Sequence, residues 1–201
     1  MNHEEEISQH AKDCYEKGVF SFNKENYNYA IELFNRVLDF KWDDADAWHM
    51  LWLSLRKSLE VNPPSPLKRL SHNIRGWFPT LKGNFATAKG RYKEAIKEFK
   101  KVIYQNPENI SVLTKIANIL LKQNLFDNAT KIFEEIIQID ANNFFALKNL
   151  GRLYLNRKDY TNSRLFYEKA LKVSPHDSET ERELKNLDAL GTIEESFGST
   201  P

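Results

Sequence analysis

Apolar residues recur along this chain at helical spacing, in paired runs separated by short polar breaks. Leu147, Leu150, Gly151 and Tyr154 share one face of a predicted helix, and Asn156-Arg157-Lys158-Asp159 interrupts it. Ser163, Tyr167 and Ala170 then mark a second helix, which Pro175 ends because proline has no amide donor. The arrangement repeats: Ala95, Ala129 and Ser163 stand 34 residues apart, as do Phe99, Phe133 and Tyr167. Tyr92, Phe126 and Tyr160 keep the same step, and so do Gly83, Ala117 and Gly151. Small residues at the Gly151 and Ser163 positions let two antiparallel helices approach closely, with the aromatics filling the wedge. One such pair cannot bury its apolar faces alone, so neighbouring pairs must stack.

At these residues the chain resembles the tetratricopeptide repeat family, through the 34-residue period, the small-small pair and the terminal Pro. Five units follow, at 11–44, 45–75, 76–109, 110–143 and 144–177; the first carries Gly18, Ala30, Phe34 and Val37 at the family positions. A capping helix is predicted over 178–190, started by a capping box of Ser178 and Glu181, with Leu184, Leu187 and Leu190 as its apolar stripe. The expected domain is therefore 1–190, followed by a flexible tail at 191–201 in which Ile193 and Phe197 could dock locally. The resemblance implies an all-α fold, a right-handed superhelix of about five helix-turn-helix repeats.

The second unit is irregular. Ala30 to Ala95 is 65 residues where two periods need 68, and Val61-Asn62-Pro63-Pro64-Ser65-Pro66 falls where its second helix should begin. Trp52 occupies the position that is Gly or Ala elsewhere. Both anomalies fit a second helix shifted or shortened to 67–75, with the indole filling the vacated space. All four tryptophans (Trp42, Trp48, Trp52 and Trp77) fall between residues 42 and 79. Two readings stay open: aromatics that repair the packing of a short repeat, or a partner pocket lined by Trp52, Trp77 and Phe78 with Arg56, Arg69 and Arg75 nearby in sequence.

Composition narrows the class. There are 201 residues, with 28% charged and 41% hydrophobic, which describes a soluble globular chain. No apolar run approaches the roughly 18 residues of a membrane span, and Met1-Asn2-His3-Glu4 begins no signal peptide, so a cytoplasmic protein without direct membrane insertion is expected. One cysteine, Cys14, excludes an intrachain disulfide and a Cys-based metal framework. His3, His10 and Cys14 could share a helix side, but Cys14 sits at a core position of the repeat, where a thiol packs as a small apolar group. Glu134-Glu135 is expected on a solvated face. No phosphate loop, nucleophile elbow or metalloprotease pair occurs. No enzyme activity and no cofactor is expected.

The resemblance also implies a concave groove lined by the first helix of each unit. Carried over position by position, it assigns partner binding to Tyr15, Phe22, His49, Arg56, Lys57, Trp77, Asn84, Asn118, Lys122, Phe145, Lys148 and Arg152, with Lys12 and Asp46 at further positions. Six of the groove positions are cationic against Asp46 alone, on a chain whose net charge is +1. A protein or peptide partner is expected, with acidic segments favoured, bound by a non-catalytic scaffold or adaptor. The alternatives are a homo-oligomeric assembly scaffold, or a regulatory, chaperone or substrate-presenting subunit of an enzyme or secretion complex. Nucleic acid is not expected, because charge is balanced and no base-reading pair repeats across units. The clamp with which some family members hold a chaperone C-terminus is missing: repeats 3 to 5 offer Thr80, Asn84, Lys115, Phe145 and Asn149 at its positions.

Overall fold

The computed structural model describes residues 3–197, and side-chain surroundings over 8–65 and 75–189. Ten helices and no strand occur among the described residues. They are α1 (His3–Asn23), α2 (Tyr27–Phe40), α3 (Ala45–Val61), α4 (Pro66–Ala88), α5 (Tyr92–Ile103), α6 (Ile110–Lys122), α7 (Phe126–Ile139), α8 (Phe144–Asn156), α9 (Tyr160–Val173) and α10 (Ser178–Phe197). The chain divides into two compact units, Met1–Ile132 and Phe133–Pro201, with the division inside α7.

Three of the hairpins, α1–α2, α4–α5 and α8–α9, are closed by the glycine-aromatic pair that the repeat predicts. A Cβ built on Gly18 would lie 2.7 Å from the Phe34 ring, one on Gly83 2.4 Å from Phe99, and one on Gly151 2.5 Å from Tyr167. Those distances leave no room for a methyl group, so the ring packs against bare helix backbone. The opposing small residues Ala30, Ala95 and Ser163 are fully buried. Ser163 keeps its hydroxyl satisfied by donating to the Gly151 carbonyl at 2.8 Å, the cost of an unpaired buried hydroxyl being avoided.

Turn chemistry repeats as well. Glu25, Gly90, Asn124 and Lys158 all have left-handed backbone, with φ between 57° and 71°. Each lets the next amide reach back to the helix just ended, as Asn26 N–H does to Ser21 O at 2.9 Å and Arg91 N–H to Ala86 O at 2.9 Å. Gly90 adopts this backbone at no steric cost; the other three bear a strain of about 1 kcal/mol or more. First helices begin on carboxylate or amide caps: Asp44 accepts from Ala47 N–H at 2.9 Å, Asn109 from Val112 at 3.1 Å and Asn143 from Ala146 at 3.1 Å.

In the first unit, the irregular repeat takes an unexpected course. No break separates 67–75 from the helix that follows; α4 runs unbroken from Pro66 to Ala88, with Pro79 inside it. Proline at 64 and 66 bars the usual start, and the residues beyond simply extend the first helix of the next hairpin. Trp52 is 3% exposed and donates its indole N–H to Pro107 O at 2.8 Å. Arg56 stacks 4.8 Å over the Trp52 ring and pairs with Glu108 at 3.4 Å. Asn128 donates to Asp43 O and Lys131 pairs with Asp46. Thus α3 is fastened to the α5–α6 junction and the start of α7, and the indole does fill space there. Trp48 is buried too, donating to Trp42 O at 2.9 Å. Cys14 is buried at 4% exposure, as its core position predicts.

In the second unit, three expectations are corrected. Glu134 and Glu135 do not lie on a solvated face: Glu135 is 3% exposed, and Glu134 accepts from Tyr154 OH at 2.7 Å. Burial and that carboxylate push the tyrosine hydroxyl up to about 12. The terminal helix continues to Phe197 instead of ending at 190. Its cap is Asp177, not the Ser178–Glu181 box: the Asp177 carboxylate accepts from Thr180 N–H at 3.0 Å and Thr180 OH at 2.6 Å. Leu187 is buried against this helix's neighbours; the side chains of Leu190, Ile193 and Phe197, and residues 198–201 of the expected tail, lie outside the described residues.

Gly83→Ala should lower stability by about 1–2 kcal/mol, since overpacking against the buried Phe99 outweighs the roughly 1 kcal/mol helix gain of alanine. Gly76→Ala, whose Cβ would meet only Val102 at 3.3 Å, should be neutral or stabilising. Urea midpoints of the two variants distinguish them.

Candidate functional site

Three first-helix positions assigned from the repeat register meet in one place. Lys12 and Tyr15 of α1 and Asp46 of α3 line an open concavity of about 450 Å³ in the first unit. Its apolar part is Ala11, Tyr15, Val37 and Phe40, and its rim carries Lys12, Lys41, Asp44 and Asp46. Tyr15 is half-buried and packs edge-on to Phe34, with centroids 5.7 Å apart. Burial first, then the carboxylates of Asp46 and Asp44, push its hydroxyl above the ordinary range. Lys41 pairs with Asp44 at 3.3 Å. The rim is therefore balanced in charge, not basic. Val37, Phe40, Lys41 and Asp44 escape a first-helix register because α2 and the turn after it supply them.

The other assigned residues divide by role. Phe22 packs edge-on to Tyr27 at 5.4 Å, across the first turn. His49 and Asn118 are half-buried on α3 and α6, while Asn84 and Lys122 are exposed on α4 and α6. Arg56 is engaged by Trp52 and Glu108, and Lys57 pairs with Glu60 at 2.6 Å, a hydrogen bond that raises its pKa. Trp77 is 67% exposed, whereas Trp52 is interior, so the two do not line one open pocket.

In the second unit, Phe145, Lys148 and Arg152 occupy one stripe of α8 at i, i+3 and i+7. Phe145 is partly exposed and meets Phe133 edge-on at 5.9 Å. Lys148 is the centre of a fastening: its ammonium lies 2.8 Å from Asp177 and 2.7 Å from Glu179. Burial opposes its charge, but those two carboxylates outweigh it and hold the pKa above the ordinary value. The same contact, with Thr180, holds Asp177 down at about 2. Arg152 is exposed and donates to Asn149 Oδ1 at 2.8 Å. Of the six cations counted toward a basic groove, Arg56, Lys57 and Lys148 are thus neutralised by carboxylates. Composition could not show this, because Glu108 and Asp177 sit in turns outside the groove register.

Comparison with known proteins agrees with the repeat register. Residues 86–150 and 144–177 match models of the tetratricopeptide repeat. Residues 86–177 are tetratricopeptide repeats, and the fold is a helical solenoid of that kind. Among solved structures, it is similar to the first TPR of Spaghetti (RPAP3) bound to the HSP90 peptide SRMEEVD, with TM-score 0.53 and 20% identity, covering 58% of this chain and 93% of that one. The N-terminal domain of stress-induced protein-1 (STI-1) from C. elegans gives TM-score 0.54 at 16% identity, covering 58% and 97%. The Sgt2 TPR domain from Aspergillus fumigatus gives 0.52 at 21% identity, covering 69% and 87%. No curated protein matches the sequence.

The α10 fastening has a pH signature. An Asp held at about 2 when folded and near 3.9 when unfolded contributes stability that is complete above the unfolded value. That contribution is lost as pH falls through the folded value. The α10 amides should therefore lose hydrogen-exchange protection between about pH 4 and 2. Asp177→Asn should weaken that pH dependence, leaving the part carried by Glu179, whose carboxyl the Lys148 hydrogen bond also holds below its ordinary value.

Proposed function

We propose that the chain is a non-catalytic cytoplasmic scaffold that binds an extended peptide or partner segment on its first-helix faces, with 1–190 acting as one repeat domain. The observation that carries this reading is the concavity in which Lys12, Tyr15 and Asp46, chosen by register alone, come together. Its apolar floor and charge-balanced rim suit a segment with one apolar or aromatic anchor flanked by groups of both signs. Preference for an acidic partner rests on Lys122 and Arg152, both exposed first-helix cations.

The Spaghetti domain is solved with SRMEEVD, and that ligand does not transfer. The positions that would hold its terminal carboxylate carry Thr80, Asn84, Lys115, Phe145 and Asn149 here. A carboxylate buried without paired cations would lose more solvation than it regains.

Peptides selected from a displayed random library should bind the wild type and lose about tenfold or more in affinity with Ala11→Arg, which fills the concavity. Helical circular dichroism should be unchanged, and SRMEEVD should not bind. Selected peptides that bind Ala11→Arg equally well would refute the site. Lys122→Glu with Arg152→Glu is the fitting test for acidity, because Lys148→Glu would also break the α10 fastening.

A further inference from the structure

Helix α4 carries a second surface, unrelated to the concavity. Its Gly76, Gly83 and Ala86 are buried toward α5, with Gly83 against Phe99. On the opposite arc, Trp77, Phe78, Leu81 and Phe85 are 67%, 58%, 46% and 56% exposed. At 100° per residue these four fall within a 100° arc, so they form one continuous apolar face. A soluble chain seldom leaves such a face bare without a use for it. The cause is the irregular repeat: the chain that would have formed a separate packing helix has been drawn into α4 itself.

Charge identifies the occupant. From Val61 through Lys93 there are seven lysines and arginines, Lys93 included, and no Asp or Glu, in a protein whose total is +1. Lys82 lies 4.6 Å over the Phe78 ring and Lys89 4.3 Å over Phe85. Each ammonium thus rests on a ring of the apolar face, and its long flexible stem lets it reach from there to headgroups. All four side chains are 46% exposed or more, which suits a flat surface better than an enclosed peptide. A second copy would bring two acid-free segments together. A planar, anionic, apolar-cored surface answers each feature.

We infer that the α4 face formed by Trp77, Phe78, Leu81 and Phe85, with Lys82 and Lys89, docks on the surface of an anionic lipid bilayer without crossing it. Among the described residues no helix is long and apolar enough to cross. The apolar side chains enter the headgroup–acyl boundary while the flanking cations meet phosphate and carboxylate headgroups.

The test is sedimentation of the full chain with phosphatidylcholine vesicles, with and without about one-third phosphatidylserine. Binding to the anionic vesicles should be about tenfold tighter or more, should weaken with salt, and should shift Trp77 emission to the blue. Phe78→Ser with Phe85→Ser should lose about tenfold without loss of helicity, and Lys82→Glu with Lys89→Glu should abolish the preference for anionic lipid. The proposal is overturned by absent sedimentation, by equal binding to neutral vesicles, or by serine variants that bind like the wild type. It is equally overturned if light scattering shows a dimer that those variants dissolve, or if single-stranded RNA shifts Trp77 emission and vesicles do not.

Discussion

Everything in this fold depends on how closely two helices of a hairpin can approach. The Phe34, Phe99 and Tyr167 rings sit on the backbones of Gly18, Gly83 and Gly151, where even a methyl group has no place. That contact sets the helix separation, and separation decides which residues reach the next hairpin. Full burial of each ring contributes roughly 1.5–3 kcal/mol, repeated in each of these hairpins. The left-handed turns at Glu25, Gly90, Asn124 and Lys158 are strained backbone that persists because the crossing on either side demands it.

Where the contact is lost, the chain reorganises. Trp52 stands at the glycine position of the second repeat and no helix can lie across an indole. Its ring instead turns inward to the α5–α6 junction, hydrogen-bonded to Pro107 O, with Arg56 stacked above. The displaced segment joins α4, and the face of α4 opposite α5 stays uncovered. One substitution of large for small thus links a packing device to an exposed aromatic surface. The tryptophan cluster has both uses, divided among its members: Trp48 and Trp52 are structural, and Trp77 is presented outward.

The hairpins were legible in the sequence because their determinants are local and periodic: Gly, Ala and aromatic residues at fixed offsets. The continuity of α4 was not, since Pro63, Pro64 and Pro66 announce a break but not where the following helix ends. The Asp177 cap escaped notice because Ser178 and Glu181 matched a commoner pattern one residue later. Within the candidate site, Lys12, Tyr15 and Asp46 of the register line one concavity. The register failed for Arg56, Lys57 and Lys148, whose charges are cancelled by residues outside it. Side-chain pairing depends on three-dimensional neighbours, and a position count carries no information about them.

The central claim is that the large residue at position 52 turns inward and leaves Trp77 on an uncovered helix face. Acrylamide quenching of tryptophan emission tests it most directly, comparing Trp42→Phe, which lacks the half-buried indole at that position, with the same variant carrying Trp77→Phe as well. The account predicts that adding Trp77→Phe removes the red-shifted, readily quenched component, leaving emission that resists quencher because Trp48 and Trp52 are interior. Quenching that is unchanged by Trp77→Phe would contradict it, because the accessible indole would then be one placed here in the core.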